Sequence, residues 1–147
     1  MRALWLGVAV VAVAALGACA ATDATGPAAT TIGGNWKFQE TLGNASIGLT
    51  CGDSAQISIS QSGQTFTASY TQVGTCNSNG QLQDNSATGT IGDGRISGTT
   101  VTFDEDICAY QATLSGTPPD TMTGTVTCTD TSTGQPVTIA GTWSATR

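Results

Sequence analysis

Three groups of side chains could do chemistry in this chain: one acidic residue on an apolar face, a compact acidic run, and the aromatics around them. Glu40 has the same parity as Trp36 and Phe38, so it shares their face in an extended segment. A carboxylate inside an apolar interior titrates high unless it is paired, and it can anchor a polar ligand group. Buried unpaired carboxylates are rare, so the plainer expectation puts Glu40 at a strand end, in solvent near a barrel mouth. Asp104-Glu105-Asp106 offers oxygen ligands of the kind calcium takes. It lacks the spaced acidic pattern and central glycine of a calcium loop, and reads instead as a solvated turn. Trp36, Phe38, Glu40, Tyr70, Phe103, Tyr110, Met122 and Trp143 are the candidate ligand-lining residues, with Phe66 among the further aromatics. The competing expectation is that the aromatics simply fill a core.

The chain contains no histidine. Ser-His-Asp and Cys-His catalysis are therefore closed to it, and the commonest zinc ligand is missing. The many Ser and Thr residues have no evident activating base, and no carboxylate pair stands at glycosidase-like positions. The sequence reading is accordingly non-enzymatic, with no catalytic residue, no metal ligand and no cofactor. Net charge is −6, with four basic residues in 147. So few cations cannot build a phosphate-binding groove, which argues against nucleic acid as a partner.

Period two runs through the chain from Gly34 onward, and no segment has the periodicity of an amphipathic helix. Trp36, Phe38, Glu40 and Leu42 share one face of a first strand, and Ala55, Ile57 and Ile59 one face of a second. Phe66, Ala68 and Tyr70 repeat the pattern, as do Val101 with Phe103, and Val137, Ile139 and Trp143. Pro118-Pro119 should break a hairpin, because proline cannot serve a central ladder. Folding there with Leu114 opposite Met122 sets Ala112 opposite Gly124, Tyr110 opposite Val126 and Cys108 opposite Cys128. A slip of one residue would turn that whole apolar set into water. A turn at Ser62-Gly63-Gln64-Thr65 likewise sets Ile59 opposite Ala68 and Ile57 opposite Tyr70, and brings Cys51 opposite Cys76 beyond the ends of the regular strands. Four cysteines allow three pairings. The hairpin registers select Cys51–Cys76 and Cys108–Cys128, each contributing about 3 kcal/mol through loop closure.

Asn77–Ser86 reads as a polar loop, Gly92-Asp93-Gly94-Arg95 as a tight turn, and Ser97–Thr100 as a further bend. The outcome is an all-β domain of about eight to ten short antiparallel strands over residues 34–147, stapled by two disulfides. Closure into an up-and-down barrel removes the exposed edges of such a sheet. A two-sheet sandwich is the alternative with the same alternation.

Gly34-Asn35-Trp36 resembles the Gly-x-Trp that opens calycin barrels, the lipocalins and avidins, and Gly141-Thr142-Trp143 is an analogous tripeptide in the last strand. The resemblance implies a barrel with a ligand-binding mouth, and no binding residues are carried over from it. Arg2, the apolar run from Ala3 to Leu16, and Leu16-Gly17-Ala18-Cys19 resemble a bacterial lipoprotein signal peptide ending in a lipobox. The run is too short to span roughly 30 Å of hydrocarbon, which takes about 20 residues. That resemblance implies removal of residues 1–18, lipidation of Cys19, and a flexible Ala-, Thr- and Gly-rich tether over 19–33. It also removes the odd thiol from the count of five cysteines. The implied location is the bacterial cell envelope, the membrane partner being reached through the lipid. Outer-membrane sorting is favoured in a Gram-negative cell, because Ala20 rather than Asp follows Cys19. The function expected is a non-catalytic envelope lipoprotein taking a small apolar or amphipathic ligand. The alternative is a protein-interaction, structural or inhibitor module that acts on an envelope protein through exposed loops, Asn77–Ser86 above all.

Overall fold

The computed structural model describes residues 30–132 and 134–147. The expected signal segment, Cys19 and the tether as far as residue 29 lie outside the described residues. Among the described residues nine strands succeed one another: β1 (Gly34–Asn44), β2 (Leu49–Ser62), β3 (Thr65–Ser78), β4 (Gln81–Asp84), β5 (Ala87–Ser97), β6 (Thr100–Glu105), β7 (Cys108–Gly116), β8 (Pro119–Asp130) and β9 (Val137–Thr146). A short 3-10 turn, Ala45–Ile47, links β1 to β2. All neighbours pair antiparallel, in the order β2-β1-β9-β8-β7-β6-β5-β3-β4. The β2–β3 pairing closes the ring, so eight strands form an up-and-down barrel and β4 hangs from β3 outside it. This closure excludes the sandwich.

The two hairpin registers hold residue for residue: Leu114 pairs with Met122, Tyr110 with Val126 and Cys108 with Cys128. Ile59 pairs with Ala68, Ile57 with Tyr70 and Cys51 with Cys76. Both disulfides form, with Cα–Cα separations of 4.0 Å for Cys51–Cys76 and 3.9 Å for Cys108–Cys128. The first does not lie beyond the strands, since β2 and β3 are each 14 residues long and contain it.

Two connections differ from expectation. Asn77–Ser86 is not a loop: β3 continues to Ser78, turns at Asn79-Gly80 and returns as β4. Asn79 and Gly80 both have positive φ, 52° and 86°, as a two-residue hairpin of the primed kind requires. β4 is exposed throughout, and hydrophobic periodicity therefore could not reveal it. Gly92-Asp93-Gly94-Arg95 is not a turn but part of a continuous β5, whose register against β3 shifts between Phe66 and Ala68. Ile91 and Ile96 are both buried although they are an odd number of residues apart. One extra residue in the strand restores parity between them, which is what a bulge does.

The lower end of the barrel, where β1 begins and β9 finishes, is closed by the segment expected to be tether. Ile32 is fully buried. Its backbone N–H donates to Gln61 Oε1 at 2.6 Å, and its carbonyl accepts from Trp36 Nε1 at 2.7 Å. Gln61 Nε2 donates to the Thr30 carbonyl at 2.8 Å, and Arg147 Nη2 to the Thr31 carbonyl at 3.0 Å. The Arg147 guanidinium also lies 4.5 Å from the Trp36 ring centre, a cation–π contact. The folded unit thus begins upstream of Gly34. Ile32→Ala should cost about 2–5 kcal/mol, as aliphatic truncations in close-packed cores do. Urea unfolding followed by tryptophan fluorescence would measure it, and a loss below about 0.5 kcal/mol would mean that Ile32 does not seal the barrel.

Candidate functional site

The inward face changes character along the barrel axis. In the lower half Trp36, Phe66, Val101, Met122 and Ala145 pack around a void of about 20 Å³. Trp36 and Met122, proposed as ligand-lining, are core residues here. In the upper half β1 and β2 place Glu40 directly opposite Asp53, and both are buried. Below them Phe38, Ala55, Ile57, Ile91, Phe103 and Tyr110 surround a cavity of about 30 Å³, with Tyr70, Gln72 and Glu105 also in its wall. The cavity is not sealed, because Tyr70, Gln72, Glu105 and Tyr110 remain half-exposed.

Four rings give this half its shape. Phe103 and Tyr110, paired across β6 and β7, stack with centroids 4.5 Å apart and planes 9° from parallel. Trp143 meets Phe103 edge-on at 5.6 Å and lies 5.3 Å from Phe38. Such contacts each add about 0.5–1.5 kcal/mol beyond area burial and hold the rings in fixed orientations. Trp143 Nε1 is satisfied by the Thr125 carbonyl at 3.1 Å.

The polar groups are held with equal care. Tyr70 is opposite Gly89, and a Cβ at Gly89 would strike the Tyr70 ring, so glycine there lets the ring lie across the strand. The Tyr70 hydroxyl donates to Glu105 Oε1 at 2.6 Å. Burial and the neighbouring Glu105 push its pKa up to about 12. Asp53 is opposite Gly74, where a side chain would collide with the Asp53 carboxylate. Asn85, in the β4–β5 link, donates its Nδ2 to Asp53 Oδ1 and Oδ2 at 3.0 and 3.1 Å, and its backbone N–H to the Gly74 carbonyl at 2.9 Å. The segment expected to act as an exposed loop thus completes the site's hydrogen bonding.

Glu40 is the exception. It is only 7 % exposed, and its Oε2 is buried with no hydrogen-bond partner. The solvent-facing placement expected for it is therefore corrected: β1 runs on past it to Asn44, so residue 40 sits within the barrel wall and not at its rim. Desolvation raises its pKa to about 7, aided by the charges of Asp53 and Glu105 and opposed by a hydrogen bond from Tyr110. Burial and Glu40 push the Tyr110 hydroxyl far above its ordinary value. The acidic run does not stay together either. Asp104 and Asp106 are exposed, whereas Glu105 turns inward to Tyr70. Among the described residues no group of three His, Cys, Asp or Glu side chains could hold a metal ion.

Charge is segregated along the axis. Among the described residues Lys37, Arg95 and Arg147 lie toward the closed end, together with Asp93 and Asp120. Asp84, Asp104, Asp106 and Asp130 join Glu40, Asp53 and Glu105 toward the upper end. The exposed large apolar residues Ile47, Val73, Leu82 and Ile107 are also at the upper end.

No protein-family model matches the chain, and no curated protein matches it. A solved structure similar to it is the S-type phycobiliprotein lyase CPES from Guillardia theta, at 12 % identity. The match covers 78 % of this chain and 87 % of that one, with a TM-score of 0.45. That protein is an enzyme, and the non-enzymatic expectation is corrected accordingly. The physical flaw lies in the step from missing histidine to missing catalysis, because a carboxyl titrating near 7 is itself a general acid–base group. The likeness assigns no activity to this chain.

Glu40 also makes folding pH-dependent. Its folded pKa lies above its ordinary 4.5. The stability it contributes is therefore full below about pH 4.5 and is lost as pH rises through about 7. Wild type minus Glu40→Gln should show a melting-temperature difference that falls by roughly several degrees across that window. A flat difference would mean that Glu40 titrates normally.

Proposed function

We propose that the barrel binds a small amphipathic ligand at its upper end. The apolar part lies against Phe38, Phe103 and Tyr110, and a hydrogen-bond donor reaches toward the carboxyls. The observation that carries this reading is the buried, unpartnered Oε2 of Glu40 beside a partly open aromatic cavity. A buried acceptor without a donor costs about 1–3 kcal/mol, which a ligand supplying that donor would recover. The calycin-like barrel supports the reading at the level of architecture, since such barrels hold ligands at their mouths. Native mass spectrometry of the purified protein should find a co-purifying small molecule, or the neutral dye Nile red should bind saturably. Ala55 lines the cavity, so Ala55→Leu should fill it and reduce dye affinity at least roughly tenfold at a stability cost of about 1–3 kcal/mol. No ligand and no saturable dye binding would overturn the reading.

We place the protein in the bacterial envelope, anchored through a lipidated Cys19, and at the outer membrane in a Gram-negative cell. The lipobox-like Leu16-Gly17-Ala18-Cys19 supports this. Labelled palmitate should enter the wild-type chain and not Cys19→Ser. Equal labelling of the two would remove the anchor.

A further inference from the structure

The same cavity discriminates between classes of ligand, an inference that rests on the ligand-binding reading proposed for it. The cavity is small, about 30 Å³, and open on one side. Its polar wall is acidic and phenolic: Tyr70, Glu105 and Tyr110 line it, and Glu40, two residues beyond Phe38 on the inward face of β1, is buried next to it. Asp53 faces Glu40 across the β1–β2 ladder, and Glu105 already accepts from Tyr70. Among the described residues no lysine or arginine lies at this end of the barrel to neutralise these groups. The remaining wall is ring faces, which attract cations.

We propose that the cavity receives the primary ammonium head of an aliphatic amine, its N–H donors turned to Glu105 and the Tyr70 and Tyr110 oxygens, with the charge of the buried Glu40 carboxyl beyond them, and its chain leaving along the aromatic wall. A quaternary head has no N–H to give. An alcohol brings one donor and no charge, and a carboxylate is repelled.

The binding is proton-coupled. The titratable groups facing Glu40 are Asp53 from β2, Tyr70 from β3, Glu105 from β6 and Tyr110 from β7, and the inward faces of β5, β8 and β9 contribute none. None of these groups brings a positive charge, so an empty site favours protonated Glu40. An arriving ammonium favours the carboxylate and expels that proton to solvent. Affinity should therefore rise with pH from 5 to 8.

The test is a tryptophan-fluorescence titration of the purified full chain at pH 8 with octylamine, octanol, octanoate and octyltrimethylammonium. Octylamine should bind at least roughly tenfold more tightly than each of the others, as loss of a buried charge pair implies. Glu40→Gln and Glu105→Gln should each weaken octylamine by a similar factor and leave octanol within about twofold. If Glu40→Gln does not fold, the wild-type ligand series and Glu105→Gln still decide. Octanol or octyltrimethylammonium binding as tightly as octylamine would overturn the ammonium assignment and leave ligand binding standing. Tight octanoate binding would overturn it too. Binding of none of the four, together with no Nile red binding, would remove both.

Discussion

An eight-stranded antiparallel barrel has a bore of nearly fixed width, just enough for the inward side chains of its own strands. Everything distinctive about this protein depends on how that width is shared. Large residues below, among them Trp36, Phe66 and Met122, fill their half, and Ile32 is drawn in from outside to stop the end. Above, Ala55 is small and the rings of Phe38, Phe103, Tyr110 and Trp143 are locked against one another. The rings cannot collapse into the remaining space, so a gap persists beside them. Because β1 pairs with β2 without a bulge along its whole length, the apolar face that begins at Trp36 carries Glu40 into the interior. The buried carboxyl is thus a consequence of register, and Gly74 and Gly89 leave the room that Asp53 and Tyr70 need.

Much of the barrel was legible because alternation and cysteine position agree. One register aligns Leu114 with Met122 and Cys108 with Cys128, and parity leaves no alternative for that hairpin. The features that escaped have no apolar signal. β4 is polar on both faces, and only Asn79-Gly80 marks it. The bulge in β5 is written in the odd spacing of Ile91 and Ile96, which looks like a turn when glycines flank it. At the site, parity alone put Glu40 beside Phe38, but its apposition to Asp53 depends on the β1–β2 register. The Asn44–Leu49 connection sets that register, and periodicity does not disclose it. Asn85 and Glu105 enter through long-range hydrogen bonds to Asp53 and Tyr70, contacts between residues about thirty positions apart in sequence that no local pattern encodes.

The segregation of charge along the barrel also acts at a distance. With Lys37, Arg95 and Arg147 nearly balanced by Asp93 and Asp120 toward one end and seven carboxyl groups toward the other, the molecule is an electric dipole as well as an anion. Near a negatively charged surface it experiences a torque that turns the nearly neutral end inward and the acidic end out, over a range of about 8–10 Å at moderate salt. The chain enters the fold at that same nearly neutral end, where Thr30 bonds to Gly98 and Gln61. Such a surface therefore draws the end at which the chain enters the barrel and leaves the acidic end turned away.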